Sequence, residues 1–157
     1  MIKIMFVCHG NICRSPMAEF ILKDLVKKQG IEDNFIISSC ATSTEEIYGN
    51  RGNPVYPPAK AELAKHGINA DGKRAVQLKK SDYENYDMLI AMDNNNIRNM
   101  HYMLGGDPDK KIYKLMEFTG SDADVADPWY TGNFEITYKD IYNGCTMLLK
   151  SLNKLQK

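Results

Sequence analysis

The sequence predicts a three-layer α/β fold: a central parallel sheet of four strands with helices on both faces. Three observations predict it. Four short apolar runs, Ile2–Val7, Phe35–Ser39, Met88–Met92 and Ile112–Leu115, are rich in β-branched residues. Segments with helical periodicity separate them, and strand–helix alternation joins neighbouring strands by crossovers that leave them parallel. The first run ends on Cys8, and parallel α/β sheets bind ligands beyond the carboxyl ends of their strands.

Each element has its own signal. Ile2–Val7 is an almost unbroken apolar stretch, as a buried strand requires. A helix is expected from Ser15 to about Gln29, with Met17, Phe20, Ile21 and Leu25 at helical spacing. Ser15 is its expected N-cap, Pro16 lies in its first turn and Gly30 closes it. A second helix runs from Pro58 to about His66, with Ala59, Ala61, Leu63 and Ala64, and stops at Gly67. A third follows from Asp93 to about Met103. The longest, Phe134 to about Leu155, carries Ile136, Ile141, Cys145, Leu148, Leu149, Leu152 and Leu155. Two long loops remain, Ala41–Tyr56 and Phe118–Gly132, and loops of that length are often functional.

The totals bound the function. At 157 residues the chain is expected to form one domain over 1–157 with a sizeable core. Its 43% hydrophobic and 25% charged residues are ordinary for a soluble globular protein. Lys plus Arg number 20, as do Asp plus Glu, so no overall field favours nucleic acid or an anionic membrane. No apolar run approaches the roughly 20 residues that span a bilayer. The first strand leads at once into a polar loop, unlike a signal peptide, so a cytoplasmic setting with reduced thiols is expected. The cysteines are Cys8, Cys13, Cys40 and Cys145, with no C-x-x-C spacing and no histidine pair at finger spacing. Neither structural zinc nor a disulfide framework fits that pattern, and no metal or cofactor is expected. Nothing marks an obligate interface, so a monomer is expected.

The loop Cys8-His9-Gly10-Asn11-Ile12-Cys13-Arg14-Ser15 joins a strand to a helix N-terminus. Such a junction gathers backbone N–H groups around one point, which is how proteins hold a phosphate-sized anion. Displacement on a phosphomonoester needs a nucleophile in line, donors on the equatorial oxygens and a proton for the leaving group. Cys8 supplies the first, and the Arg14 fork and loop amides supply the second. Gly10 and Asn11 tolerate the positive φ that a tight anion loop demands, and Ser15 can donate to the thiolate. Taken singly, Cys8 is a strand-end cysteine, Arg14 a surface arginine and Ser15 an N-cap; the C-x5-R spacing after a strand and before a helix joins them. For the proton, Asp127 in Asp127-Pro128-Trp129-Tyr130 is a candidate acid, followed by two aromatics that can wall a flat ring, although Asp-Pro alone is usually a turn.

Cys8–Pro16 and Asp127–Tyr130 together resemble the low-molecular-weight protein tyrosine phosphatase family, over essentially the whole chain. The resemblance implies a flavodoxin-like, Rossmann-like four-stranded parallel sheet and metal-free hydrolysis of phosphotyrosine in proteins through a phosphocysteine. It implies Cys8 as nucleophile, Arg14 as the phosphate-binding arginine and Asp127 as general acid. His9, Gly10, Asn11, Ile12, Cys13 and Ser15 complete a loop for phosphate or other oxyanions, with Asn11 and Ser15 holding its strained shape. His66 sits where the family has a histidine bonded to that network, or is simply a helix-end histidine. Asp93 matches a family Met-Asp pair beside the loop, or caps the next helix. Cys13 matches a second loop cysteine that can form a disulfide with the nucleophile and shield it from irreversible oxidation. Trp129 and Tyr130 become pocket walls.

The chain also departs from the family. It has Ser39-Cys40-Ala41-Thr42 where members often have Ser-Ala-Gly-Thr, and Cys40 is expected to be a packed small residue. The following loop, Ser43 to Asn50, lacks the tryptophan that many members place there, so Tyr48 or Tyr56 is expected to line the pocket. Glu45 and Glu46 near the mouth bear on which peptides are accepted. Three rivals remain. Protein arginine phosphatases of the same superfamily tend to carry threonine where Ile12 stands. A thiol-dependent arsenate reductase needs further cysteines after about residue 75, yet none lies between Cys40 and Cys145. A non-catalytic anion-binding module needs neither Cys8 nor Asp127.

Overall fold

The computed structural model describes residues 1–155. Residues 156 and 157 of the expected domain, and the side chains of Lys154 and Leu155, lie outside the described residues. In chain order the elements are β1 (Ile2–Cys8), α1 (Arg14–Lys28), β2 (Phe35–Ala41), β3 (Ile47–Tyr48), β4 (Arg51–Gly52), α2 (Pro57–Ala64), α3 (Lys80–Asn85), β5 (Met88–Ala91), α4 (Asn94–Leu104), β6 (Ile112–Lys114), α5 (Pro128–Thr131) and α6 (Phe134–Leu155). The main sheet has the order β2-β1-β5-β6 and is parallel throughout, while β3 and β4 form a small antiparallel hairpin.

The side-chain period of two explains why β1 reads as continuously apolar. Ile4, Phe6 and Cys8 face a core shared with α1, α2 and α6, which includes Met17, Ile21, Leu63, Ile141 and Leu148. Met5 and Val7 face the other side, toward Leu78, Tyr83 and Met100 of the α3 and α4 layer. Both faces are covered, so alternation with polar residues is impossible. Complete burial of one such Ile, Leu or Phe contributes about 1.5–3 kcal/mol.

The strand order places the site. From β1 the chain moves outward to β2 through α1, then returns past β1 to add β5 and β6 on the opposite side. The carboxyl ends of β1 and β5 therefore lie beside each other at a topological switch point, where such sheets bind ligands. Cys8 ends β1, and Met92-Asp93 follows β5 directly.

Three local features differ from the sequence expectation. The N-cap position of α1 belongs to Cys13, and Ser15 lies inside the first turn, where its hydroxyl serves other groups. The first long loop contains the β3–β4 hairpin, and the second contains part of a 3-10 turn (Leu115–Thr119) and α5. The short helix α3, absent from the expectation, precedes β5. Each missed element is under two helical turns or two residues per strand, too short for periodicity to register.

Candidate active site

The loop from Cys8 to Arg14 is held open from outside. Its carbonyls are bonded away from the centre: Cys8 O accepts from Thr42 N–H at 2.9 Å, His9 O from Ser43 at 3.0 Å and Ile12 O from Tyr56 at 2.9 Å. Cys13 O accepts from Met17 at 3.0 Å. Among the described residues, the N–H groups of His9, Gly10, Ile12, Cys13 and Arg14 donate to no protein group. Asn11 N–H points at Cys8 Sγ, 3.3 Å away. A ring of free donors at a helix start, around a thiol, is an oxyanion cradle.

One strained residue makes the turn. Asn11 adopts φ 60°, left-handed for a non-glycine residue, whereas Gly10 stays outside that region. Gly10 is instead close to Glu46, whose Cγ would lie 3.3 Å from an added Cβ. Asn11 is 1% exposed and all its amide groups are used. Oδ1 accepts from Val76 N–H at 3.1 Å, and Nδ2 donates to Ser15 Oγ at 2.7 Å and to Ser39 Oγ at 3.0 Å. Those three bonds set the amide orientation and offset the left-handed strain. Ser39 donates to Glu19 Oε1 at 2.6 Å, and Lys23 and Lys73 neutralise Glu19. The chain of bonds ends at the thiol: Ser15 Oγ lies 3.0 Å from Cys8 Sγ, and with a thiolate there the hydroxyl must be the donor.

His66 does not join this network. It follows the end of α2, stacked on Tyr138 of α6 with ring centroids 3.7 Å apart, and contacts Glu62 at 3.2 Å. Lys73 does join the network, donating to Ser39 O at 2.9 Å. Glu19 and Lys73 are absent from the sequence expectation. A carboxylate four residues after Ser15, on the buried side of α1, is the signal that marks Glu19.

Arg14 is 5% exposed. Its Nη1 meets Asp93 Oδ2 at 2.8 Å and Val125 O at 3.3 Å, and its Nη2 meets Asp127 Oδ2 at 3.5 Å. Burial pulls the guanidinium down, but the charges of Cys8, Asp93 and Asp127 more than offset it, and its pKa is raised. Asp93 fills both of its expected roles, since Oδ1 caps α4 through Asn96 N–H at 2.8 Å while Oδ2 orients Arg14. Asp127 caps α5 through Trp129 N–H at 3.0 Å. The cap and the ion pair aim its carboxyl at the cradle.

Cys8, His9, Gly10, Asn11, Ile12, Cys13, Arg14, Asp93, Asp127, Trp129 and Tyr130 line one cavity of about 820 Å³. Glu45, Glu46, Asn95, Asn96, Asn99 and Asp124 also line it. Tyr48 does not, because it projects from the hairpin and is 70% exposed. Tyr56 packs behind the wall, with ring centroids 4.9 Å from Trp129. The aromatic wall thus comes from the loop that carries Asp127 rather than the loop after β2. Glu45 pairs with His9 at 3.0 Å on the rim. Burial, then the charges of Cys8 and Asp127, push the Cys13 thiol up to about 12, and burial likewise pushes Cys40 well above its ordinary range. All four cysteines are unpaired, and Cys40 is packed against Met5 as a small core residue.

Fold and site define a class: parallel α/β proteins with a ring of free N–H donors at the switch point, able to take an oxyanion, beside a thiol and an arginine. Residues 3–157 match the low molecular weight phosphotyrosine protein phosphatase family. The chain is 42% identical to the low molecular weight protein-tyrosine-phosphatase YfkJ of Bacillus subtilis, over 98% of this chain and 97% of that protein. Against PtpA of Staphylococcus saprophyticus the identity is 36%, over 98% and 96%. The crystal structure of YfkJ from B. subtilis matches with a TM-score of 0.92 at 40% identity, covering 100% of this chain and 98% of that one. A Drosophila arginine phosphatase matches with a TM-score of 0.84 at 29% identity, over 96% and 98%. The chain belongs to the low molecular weight protein-tyrosine-phosphatase family, and it is a hydrolase of that kind. Among the described residues, no helix is long and apolar enough to cross a membrane.

Proposed function

We propose that this enzyme hydrolyses phosphotyrosine in proteins, and small aryl phosphates, through a phosphocysteine. The observation that carries this is the convergence of Cys8, Arg14 and Asp127 on one cavity walled by Ile12, Trp129 and Tyr130. The phosphoryl oxygens sit on the loop amides and the Arg14 fork. Cys8 Sγ attacks phosphorus; the S–P bond forms as the P–O bond to the aryl group breaks. Asp127 gives its proton to the departing phenolate oxygen. The Asp127 carboxylate then takes a proton from water, whose oxygen attacks phosphorus. The S–P bond breaks, phosphate leaves, and the Cys8 thiolate returns to the Ser15 hydroxyl. Asp93 keeps Arg14 facing the anion throughout. A reducing cytoplasm suits the free thiol, and the site is complete within one chain.

Kinship to arginine phosphatases makes the leaving group the open point. An apolar Ile12 in the loop, lining the cavity, favours an aromatic ring over a guanidinium. The test is phosphate release, without added metal, from matched phosphotyrosine and phosphoarginine peptides, with Cys8→Ser as control. Cys8-dependent turnover mainly on phosphotyrosine is expected, with Cys8→Ser inactive yet still binding phosphate. Preference for phosphoarginine would overturn the reading of Ile12 and keep the nucleophile.

A further inference from the structure

Lys114 ends β6 and is 7% exposed, yet its ammonium has no partner in the sheet. Nζ donates to Asn94 Oδ1 at 3.1 Å, to Asp124 Oδ1 at 3.0 Å and to the carbonyl of Asp122. Asn94 N–H donates to the same Asp124 oxygen at 3.2 Å. A buried ammonium persists only with such partners. These all lie on two segments, the first turn of α4 and the loop leading to Asp127.

Those segments carry the two carboxylates that meet at Arg14. Asp93 directly precedes Asn94, and Asp127 follows Asp124 by three residues. On its far side the acid-bearing loop is anchored to α6, where Ala126 N–H donates to Asp140 at 3.0 Å and Ala126 O accepts from Thr137 Oγ1 at 2.8 Å. On its near side the loop is tied by Val125 N–H to Met92 O at 2.9 Å, by Arg14 to Val125 O and Asp127, and by Lys114 to Asp122 O and Asp124. We propose that Lys114 is a positioning residue. It cross-braces the Asp93 and Asp127 arms from behind the site and so sets the reach of the Asp127 carboxyl toward the leaving oxygen. The proposal rests on the reading of Asp127 as the acid.

Lys114 holds the Asp127 arm at two points, Asp122 O and Asp124, and the Asp93 arm only through Asn94, while Asp93 is also fixed by its own cap on Asn96 N–H, so the loss should fall on the proton donor more than on the cradle. The test measures kcat/KM, which reports only the steps up to phosphocysteine formation, for aryl phosphates from phenyl to dinitrophenyl in Lys114→Met, Lys114→Arg, Asp127→Ala and the Lys114→Met/Asp127→Ala double variant. Lys114→Met should lose roughly 10-fold on phenyl phosphate and less than about 2-fold on dinitrophenyl phosphate, whose leaving group needs no acid. Inhibition by inorganic phosphate should hold within about 2-fold, and Lys114→Arg should restore most of the loss. In the Asp127→Ala background, Lys114→Met should add nothing, because no acid remains to be positioned. Equal loss on every substrate, no loss at all, or full additivity in the double variant would overturn the proposal. Absence of leaving-group dependence in Asp127→Ala itself would overturn the reading of the acid and this proposal with it. If Lys114→Met does not fold, Asn94→Ala removes an acceptor of the same tie without altering a cavity-lining residue, and the same signature is expected.

Discussion

At the scale of single residues, Arg14 is caught between two carboxylates, and its planar fork is what lets it face both and an anion. Lysine keeps the charge but presents one point donor. Arg14→Lys should therefore lower kcat on the order of 10²-fold and weaken inhibition by inorganic phosphate, both read by steady-state kinetics. Cys13 is pushed up chiefly by burial and only then by the charge of Cys8. Below a pKa of about 12 it is a neutral thiol. In Cys8→Ser, where the second cause is gone but the first remains, Cys13 should react slowly with iodoacetamide at pH 8. Rapid labelling, followed by mass spectrometry, would contradict that assignment. Cys8, Arg14 and Asp127 were legible in the sequence because their chemistry is carried by local spacing and by residue type. Spacing left His66 open between the network and a helix end, because a contact across the fold has no local spacing; the structure stacks it on Tyr138, outside the network.

At the scale of elements, the loop between α4 and β6 is organised by one carboxylate. Asp107 accepts from the Tyr83 hydroxyl of α3 at 2.7 Å, from Lys111 N–H at 2.8 Å and from Ile112 N–H at 3.2 Å. Burial raises its pKa, but these donors overcome it and the net direction is down. A depressed carboxylate contributes stability above its unfolded value of about 3.9, which is lost as pH falls through its lower folded value. Asp107→Asn should thus cost about 1 kcal/mol at pH 7, and the gap to the parent should close in acid. Urea melts at pH 7 and pH 3 read both. The long helices and the four main strands were visible through periodicity, which needs several turns or alternations to register. The hairpin β3–β4 and the helices α3 and α5 are shorter than that, so only the folded chain reveals them.

At the scale of the whole molecule, α6 closes the core over the turn that follows β6. Gly144 is where the approach is tightest, since a Cβ there would lie 2.6 Å from Leu115 Cγ, and Leu115 is completely buried. Alanine would gain up to about 1 kcal/mol of helix propensity. Overpacking at such a contact costs about 1–3 kcal/mol, so the clash should win. Gly144→Ala should lower the melting temperature by a few degrees, about 2–4 °C per kcal/mol for a chain of this size. An unchanged or higher melting temperature would show that Leu115 can yield. By itself the sequence determined the layer architecture, the C-x5-R loop after the first strand and the acid candidate near residue 127, because hydrophobic period and motif spacing are properties of adjacent residues. Only the tertiary structure decided that Asp93 and Asp127 meet at one guanidinium, that Glu19 and Lys73 stand behind Asn11, and that Lys114 bonds both the start of α4 and the loop before Asp127. Those contacts join residues distant in the chain, and the strand order and packing that bring them together leave no periodic trace.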